Sequence, residues 1–157
     1  MKILMVCLGN ICRSPLAEGI LQHKAAKKKL DWTIDSAGTA GYHVNEAPHH
    51  LSQKVSKMNG IDISHLKGRQ FVKEDMQRFD KIYVMDEENY EEVKRISKNL
   101  WDENKVSLLL NELYPNKNIG VPDPWYGPEE GYHKVFDMIN KACDEIIRKY
   151  ADMQASK

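Results

Sequence analysis

Cys7 and Arg13, with five residues between them, are the pair in this sequence best suited to carry chemistry. A thiolate is a strong nucleophile, and a guanidinium is a planar fork that can hold two oxygens of a phosphate. Such spacing arises by chance, so its surroundings supply the specificity. Ile3, Leu4, Met5 and Val6 before it read as a buried strand, and Gly9 and Asn10 within it tolerate positive φ. Ser14 and Pro15 after it suit the N-cap and first position of a helix. A loop running from a strand into a helix N-terminus gathers backbone N–H groups into a nest for an anion, here those of Leu8, Gly9, Asn10, Ile11, Cys12 and Arg13. The same dipoles favour thiolate, since cysteines at helix N-termini titrate at about 3.5 to 7.5. Nucleophile and phosphate cradle therefore coincide at the end of the first strand.

The elements that must position this loop alternate along the chain. Trp32 to Asp35 and Ile82 to Met85 are short strand candidates, and Leu51 to Met58 is a helix candidate ending at Asn59-Gly60. Glu87 to Lys98 is a charged helix with Tyr90, Val93 and Ile96 on one side. After Pro122, Pro124 and Pro128 comes a long amphipathic helix whose stripe includes Val135, Ile139, Cys143 and Ile146, which makes Cys143 a core residue. Strands alternating with helices predict an α/β fold with a mostly parallel sheet. In such sheets ligands bind beyond the carboxyl ends of the strands, where the Cys7 loop must lie.

The composition sets the outer limits. A chain of 157 residues suits one domain, expected to span 1–157. Lys plus Arg equals Asp plus Glu at 23 each, so the chain has no global electrostatic reason to bind nucleic acid or an anionic membrane. An anion must be held by local, oriented groups. Three cysteines are too few, and an odd number, for a disulfide framework, which points to a reducing compartment. The opening apolar run is too short for a secretory signal or a membrane span. Lys27, Lys28 and Lys29 read as a solvated helix end.

The run Val6-Cys7-Leu8-Gly9-Asn10-Ile11-Cys12-Arg13-Ser14-Pro15 resembles the signature of the low molecular weight protein tyrosine phosphatases. The resemblance continues, in order, through Asp35-Ser36-Ala37-Gly38-Thr39, Val84-Met85-Asp86 and Val121-Pro122-Asp123-Pro124-Trp125-Tyr126-Gly127. It implies a three-layer α/β fold, with a four-stranded parallel sheet flanked by helices on both faces and a phosphate-binding loop after the first strand. It implies metal-independent hydrolysis of phosphotyrosine in proteins, and of small aryl phosphates, through a phosphocysteine intermediate and without a cofactor. The expected setting is a cytoplasmic monomer acting on phosphotyrosine-containing proteins, with no nucleic-acid or membrane partner.

Carried over residue by residue, Cys7 is the expected nucleophile, and Arg13 with the loop amides holds the phosphate. Asp123 is the acid and then the base. From the residues alone Asp123 reads as an Asp-Pro turn; the resemblance assigns it the proton. Asn10, Ser14, Ser36 and His65 match the positions that anchor the loop, with Asn10 left-handed and Ser14 able to donate to Cys7. Tyr42, Trp125 and Tyr126 match cleft walls, although Trp125 is also a natural core aromatic and Tyr42 an ordinary exposed one. Cys12 is either a redox partner of Cys7 or a buried spectator. Asp86 either caps a helix or supports the acid loop.

Three competing activities share parts of this pattern. Arsenate reductases of this fold relay electrons through mid-chain cysteines, and this chain has none between Arg13 and Ala142. Arginine phosphatases resemble the family too, typically with Thr where this chain has Ile11, and a bulky apolar Ile suits an aryl ester better than a guanidinium. A phosphotyrosine-binding module without turnover would not need Cys7, Arg13 and Asp123 together. His43, His49 and His50 lack a metal-ligand spacing, so no metal site is expected.

Overall fold

The unbroken apolar run that opens the chain becomes a central strand. In the computed structural model, which describes residues 1–155 and side chains through residue 151, β1 (Lys2–Cys7) pairs in parallel with β2 (Thr33–Gly38) and with β3 (Lys81–Val84). The short β4 (Val106–Leu108) pairs with β3, completing a parallel sheet of order β2-β1-β3-β4. Ile3, Met5 and Cys7 point into one apolar layer, and Leu4 and Val6 into the other. Successive side chains of a strand alternate, so a strand covered on both faces must be apolar at every position.

The first layer is closed by α1 (Arg13–Lys27) and α5 (Glu129–Ala155), which bury Leu16, Ile20, Ile139 and Ile146, and by α2 (His50–Met58) through Val55. The second is closed by α3 (Asp75–Arg78) and α4 (Glu87–Ser97), with Phe71, Met76, Phe79 and Val93 against the sheet. Truncating any one of these large, fully buried side chains to Ala costs about 2 to 5 kcal/mol. The chain leaves β1 for a neighbour on one side and returns as β3 on the other. The crevice at the carboxyl end of β1 is thus where strand order reverses, which is where open α/β sheets place ligands.

The elements differ from the sequence expectation at several ends. β2 begins one residue after Trp32, and neither β4 nor α3 has a periodicity long enough to announce itself. Lys27 to Lys29 are exposed, with Lys29 left-handed at φ 56° as the chain turns out of α1. Cys143 is fully buried in the core. No helix among the described residues is long and apolar enough to cross a membrane.

Candidate active site

The loop between β1 and α1 is held by its carbonyl groups. Cys7 O accepts from Thr39 N, Leu8 O from Ala40 N, Ile11 O from His49 N and Cys12 O from the Ser52 hydroxyl. In a trans peptide the N–H of the next residue points opposite to the carbonyl. These anchors therefore turn the N–H groups of Leu8, Gly9, Cys12 and Arg13 away from the protein that pins the carbonyls. α1 begins at Arg13, with Cys12 at the N-cap and no side chain capping it. Ser14 is thus not the cap expected from sequence. It sits inside the first turn, fully buried, while Pro15 occupies a first-turn position that lacks an intrahelical N–H bond in any case. An uncapped helix start leaves its N–H groups open to a ligand.

The turn itself is made by Asn10, whose φ of 58° is left-handed, a conformation Asn tolerates better than most residues. Gly9 does not take a positive φ. Its missing side chain instead makes room for His43, whose Cδ2 would lie 3.1 Å from a Cβ at Gly9. Gly38 ends β2 hard against this loop: a Cβ there would stand 2.8 Å from Leu8 O and 3.1 Å from Asn10 N.

Asn10 is the hub of a buried polar network. Its Nδ2 donates to Ser14 Oγ at 2.7 Å and to Ser36 Oγ at 2.9 Å, and its Oδ1 accepts from Arg69 N at 3.0 Å. Ser14 Oγ lies 3.0 Å from Cys7 Sγ, which also accepts from Asn10 N at 3.2 Å. Ser36 in turn donates to Glu18 Oε1 at 2.6 Å. His65, expected in this network, is not in it. Ile63 and Leu66 take the inward positions of that segment and Asp62 accepts from Ser64 N, which leaves His65 on the exposed side of the turn.

Arg69 and Glu18 are the members that sequence reasoning missed. Arg69 reaches the site because its guanidinium grips Asp75 through two parallel bonds of 3.0 and 3.1 Å and Asp35 through a third, fixing the backbone N–H that holds Asn10. Glu18 had a legible signal: it stands four residues after Ser14, on the same helix face. Burial, with Asp35 nearby, pushes its carboxyl up to about 7, against the hydrogen bonds from Ser36 and Gln22 and the charge of Arg69.

Arg13 is 3% exposed and enters the site sideways. Nη1 donates to Asp86 Oδ2 at 2.7 Å and to Val121 O at 3.0 Å, while Nη2 stands 3.8 Å from Asp123 Oδ2. Burial works against its charge, but the Cys7 side chain, Asp86 and Asp123 outweigh it and hold the guanidinium above its ordinary pKa. Asp86 takes the expected role of helix cap and adds a grip on Arg13. Its Oδ1 accepts from Asn89 N as the N-cap of α4, and its Oδ2 grips Arg13. Its link to the Asp123 loop is indirect, through Arg13 and Val121.

The loop after β1 floors a cleft of about 250 Å³, walled by Tyr42, His43, Asp123, Trp125 and Tyr126. Asp123 Oδ1 accepts from Trp125 N at 3.1 Å, an Asx-type turn that aims the carboxylate. Trp125 is not a core residue: it is exposed, at 39%, with its ring against His43 and His49. Tyr42 and Tyr126 stand out into solvent at 78% and 94% exposure. His43 is a wall residue that the sequence did not single out for the cleft, oriented by a 2.6 Å contact between Nδ1 and Glu46 Oε2. Cys12 Sγ faces the Tyr132 hydroxyl at 3.9 Å, and burial, reinforced by the nearby Cys7, raises its thiol to about 12. Cys7 and Cys12 are both free thiols.

A strand-loop-helix anion nest around a cysteine, closed by a buried arginine and a facing aspartate, is the site of a cysteine-dependent phosphatase class. The comparisons agree. Residues 2–156 match the family model described as low molecular weight phosphotyrosine protein phosphatase, and the chain belongs to that family. It is 37% identical over 150 residues to the low molecular weight phosphotyrosine protein phosphatase of Gallus gallus, covering 94% of each chain. Among solved structures it is similar to a protein tyrosine phosphatase from Entamoeba histolytica with Hepes in its active site (TM-score 0.87, 35% identity, 98% and 99% coverage). It is also similar to a Drosophila arginine phosphatase (TM-score 0.88, 31% identity, 96% and 98% coverage).

Proposed function

We propose that this protein hydrolyses phosphotyrosine in proteins, and small aryl phosphates, by way of a phosphocysteine. The observation that carries the reading is the convergence of Cys7, Arg13 and Asp123 on one cleft over an uncapped helix start. In the first step the Cys7 thiolate attacks phosphorus, the S–P bond forms and the P–O bond to the phenol breaks. Loop N–H groups and Arg13 hold the three equatorial oxygens, on which a loose transition state carries its charge. Asp123 gives its proton to the leaving phenolic oxygen. In the second step Asp123, now ionised, takes a proton from water, whose oxygen attacks phosphorus, and the S–P bond breaks to return Cys7 as thiolate. A Ser14 hydroxyl 3.0 Å from the sulfur stabilises that leaving thiolate. Asn10, Ser36, Glu18 and Arg69 keep the loop in shape.

Tyr42, Trp125 and Tyr126 give the cleft the depth and aromatic surface that suit a phenyl ring. Ile11, which lines the same cleft, favours the aryl ester over phosphoarginine, the substrate class suggested by the likeness to the Drosophila arginine phosphatase. The protein is expected to work as a single domain and a monomer in the cytoplasm, on phosphoprotein substrates and without a metal. The deciding experiment is hydrolysis of p-nitrophenyl phosphate in excess chelator, with phosphotyrosine and phosphoarginine peptides compared side by side. The wild type should turn over the aryl phosphate and prefer the phosphotyrosine peptide, and Cys7→Ser should be inactive. Activity retained in Cys7→Ser overturns the mechanism, and a preference for phosphoarginine overturns the substrate.

A further inference from the structure

Glu18 is buried beneath the phosphate loop, too far along α1 to touch a substrate, and the steps above give it no chemistry of its own. Its place in the network does. Gln22 Nε2 donates to Oε2 at 2.9 Å and Ser36 Oγ donates to Oε1 at 2.6 Å. An ionised carboxylate only accepts, so the Ser36 hydrogen is committed to Glu18 and Ser36 offers Asn10 only lone pairs. The Asn10 amide must then turn Nδ2 towards Ser36, an orientation that Arg69 N enforces from the other side by donating to Oδ1. The second hydrogen of Nδ2 goes to Ser14 Oγ, which leaves the Ser14 hydrogen for Cys7 Sγ.

We propose that Glu18 is a positioning residue for Cys7: at the far end of the chain Glu18–Ser36–Asn10–Ser14–Cys7, its charge sets how strongly the Asn10 amide commits one hydrogen to Ser36 and so how much of the other reaches Ser14. Both halves of the chain run outward from Asn10 Nδ2, so a carboxylate at Glu18 strengthens the hydrogen bond to Ser36 at the expense of the one to Ser14, and with it the Ser14 donor to Cys7. The consequence is a pH-sensitive nucleophile. Because Gln22 occupies Oε2, a proton arriving on Glu18 settles on Oε1, against Ser36. Ser36 must then accept from Glu18, its own hydrogen loses its partner, and the chain loses its anionic end. The charged groups facing Glu18 are Asp35 of β2 and Arg69 of the segment before α3, and Arg69 is itself paired with Asp35 and Asp75. Burial and Asp35 bring the Glu18 carboxyl up to about 7, so the change falls in the working range.

The inference rests on the assignment of Cys7 as nucleophile, and alkylation of Cys7 by iodoacetate tests it without any turnover. Inorganic phosphate identifies the Cys7 reaction by protecting it. The wild type should show an inflection near 7 in the pH dependence of alkylation, in addition to that of the thiol. Glu18→Gln should lose that inflection and react at every pH as the wild type does below it, with Glu18 uncharged. Ser36→Ala cuts the chain while leaving Glu18 to titrate, so it should lose the inflection too. The double variant should match Ser36→Ala alone. An inflection that persists in Glu18→Gln, or effects that multiply in the double variant, overturn the proposal. Should Glu18→Gln fail to fold, Ser36→Ala decides: an inflection that survives the cut refutes transmission through the chain. A protein that fails to hydrolyse any phosphoester refutes the function. A phosphate-protected Cys7 whose alkylation ignores Glu18 refutes this inference alone.

Discussion

Replacing Glu18 by Gln should change the pH dependence of stability by an amount the structure sets. A glutamate in an unfolded chain titrates at about 4.5. Folding buries this one against β2 and raises it to about 7. A carboxyl raised on folding binds its proton more tightly in the native state, so its contribution is fully present below about pH 4 and is lost as pH rises through about 7. The difference in titration is linked to roughly 3 kcal/mol. The assay is urea denaturation of wild type and Glu18→Gln at a series of pH values across that window. The other titrating groups are common to both proteins and cancel in the difference. Relative to wild type, the Gln variant should gain roughly 3 kcal/mol between pH 4 and 8, on top of a constant offset for any hydrogen bond lost. A difference that stays flat across the window would refute the reasoning, because it would mean that Glu18 pays no burial cost for its charge.

Asp86→Ala should be among the most damaging changes outside the cleft. It strips a buried guanidinium of its 2.7 Å partner and removes the α4 cap, so thermal unfolding should report a loss of about 3 kcal/mol or more, and phosphate should protect the protein less well. Gly38→Ala places a methyl group 2.8 Å from Leu8 O, a backbone atom that cannot turn aside. The phosphate loop must shift, and KM for an aryl phosphate and the inhibition constant for inorganic phosphate should both rise about tenfold or more. Peroxide treatment followed by thiol reduction checks Cys12. If the oxidised Cys7 sulfur condenses with the Cys12 thiol, releasing water, wild type should recover more activity than Cys12→Ser. Because burial holds the Cys12 thiol at about 12, disulfide formation should accelerate with rising pH, and equal recovery in the two proteins would make Cys12 a spectator.

Much of the site was legible in a single stretch of sequence. Apolar residues at every buried position of β1, an Asn able to turn left-handed, and a helix that starts directly afterwards are local properties, set by sterics and by the hydrogen-bonding needs of a few neighbouring residues. They put Cys7, the loop amides and Arg13 within a few residues of one another at the junction of a strand and a helix. The local signals also misled in instructive ways. Ser14-Pro15 has the form of a helix cap, yet the helix starts two residues earlier and Ser14 is drawn inward to Cys7 and Asn10, because the loop leaves its N–H groups for a ligand.

The sequence by itself therefore determined a strand, a phosphate-binding loop and a helix in register, and through its likeness to a known family it pointed to Asp123 as the proton carrier. Only the tertiary structure decided what holds those groups in place. Asn10 meets Ser36 across 26 residues and Arg69 across 59, and Arg13 meets Asp86 across 73. Such contacts depend on which strands neighbour β1 and on which side chains of a distant segment win the inward positions. That is why His65 lost the place expected for it to the backbone of Arg69, and why Glu18, an ordinary helix glutamate by composition, ends as a buried charge wired to the cysteine.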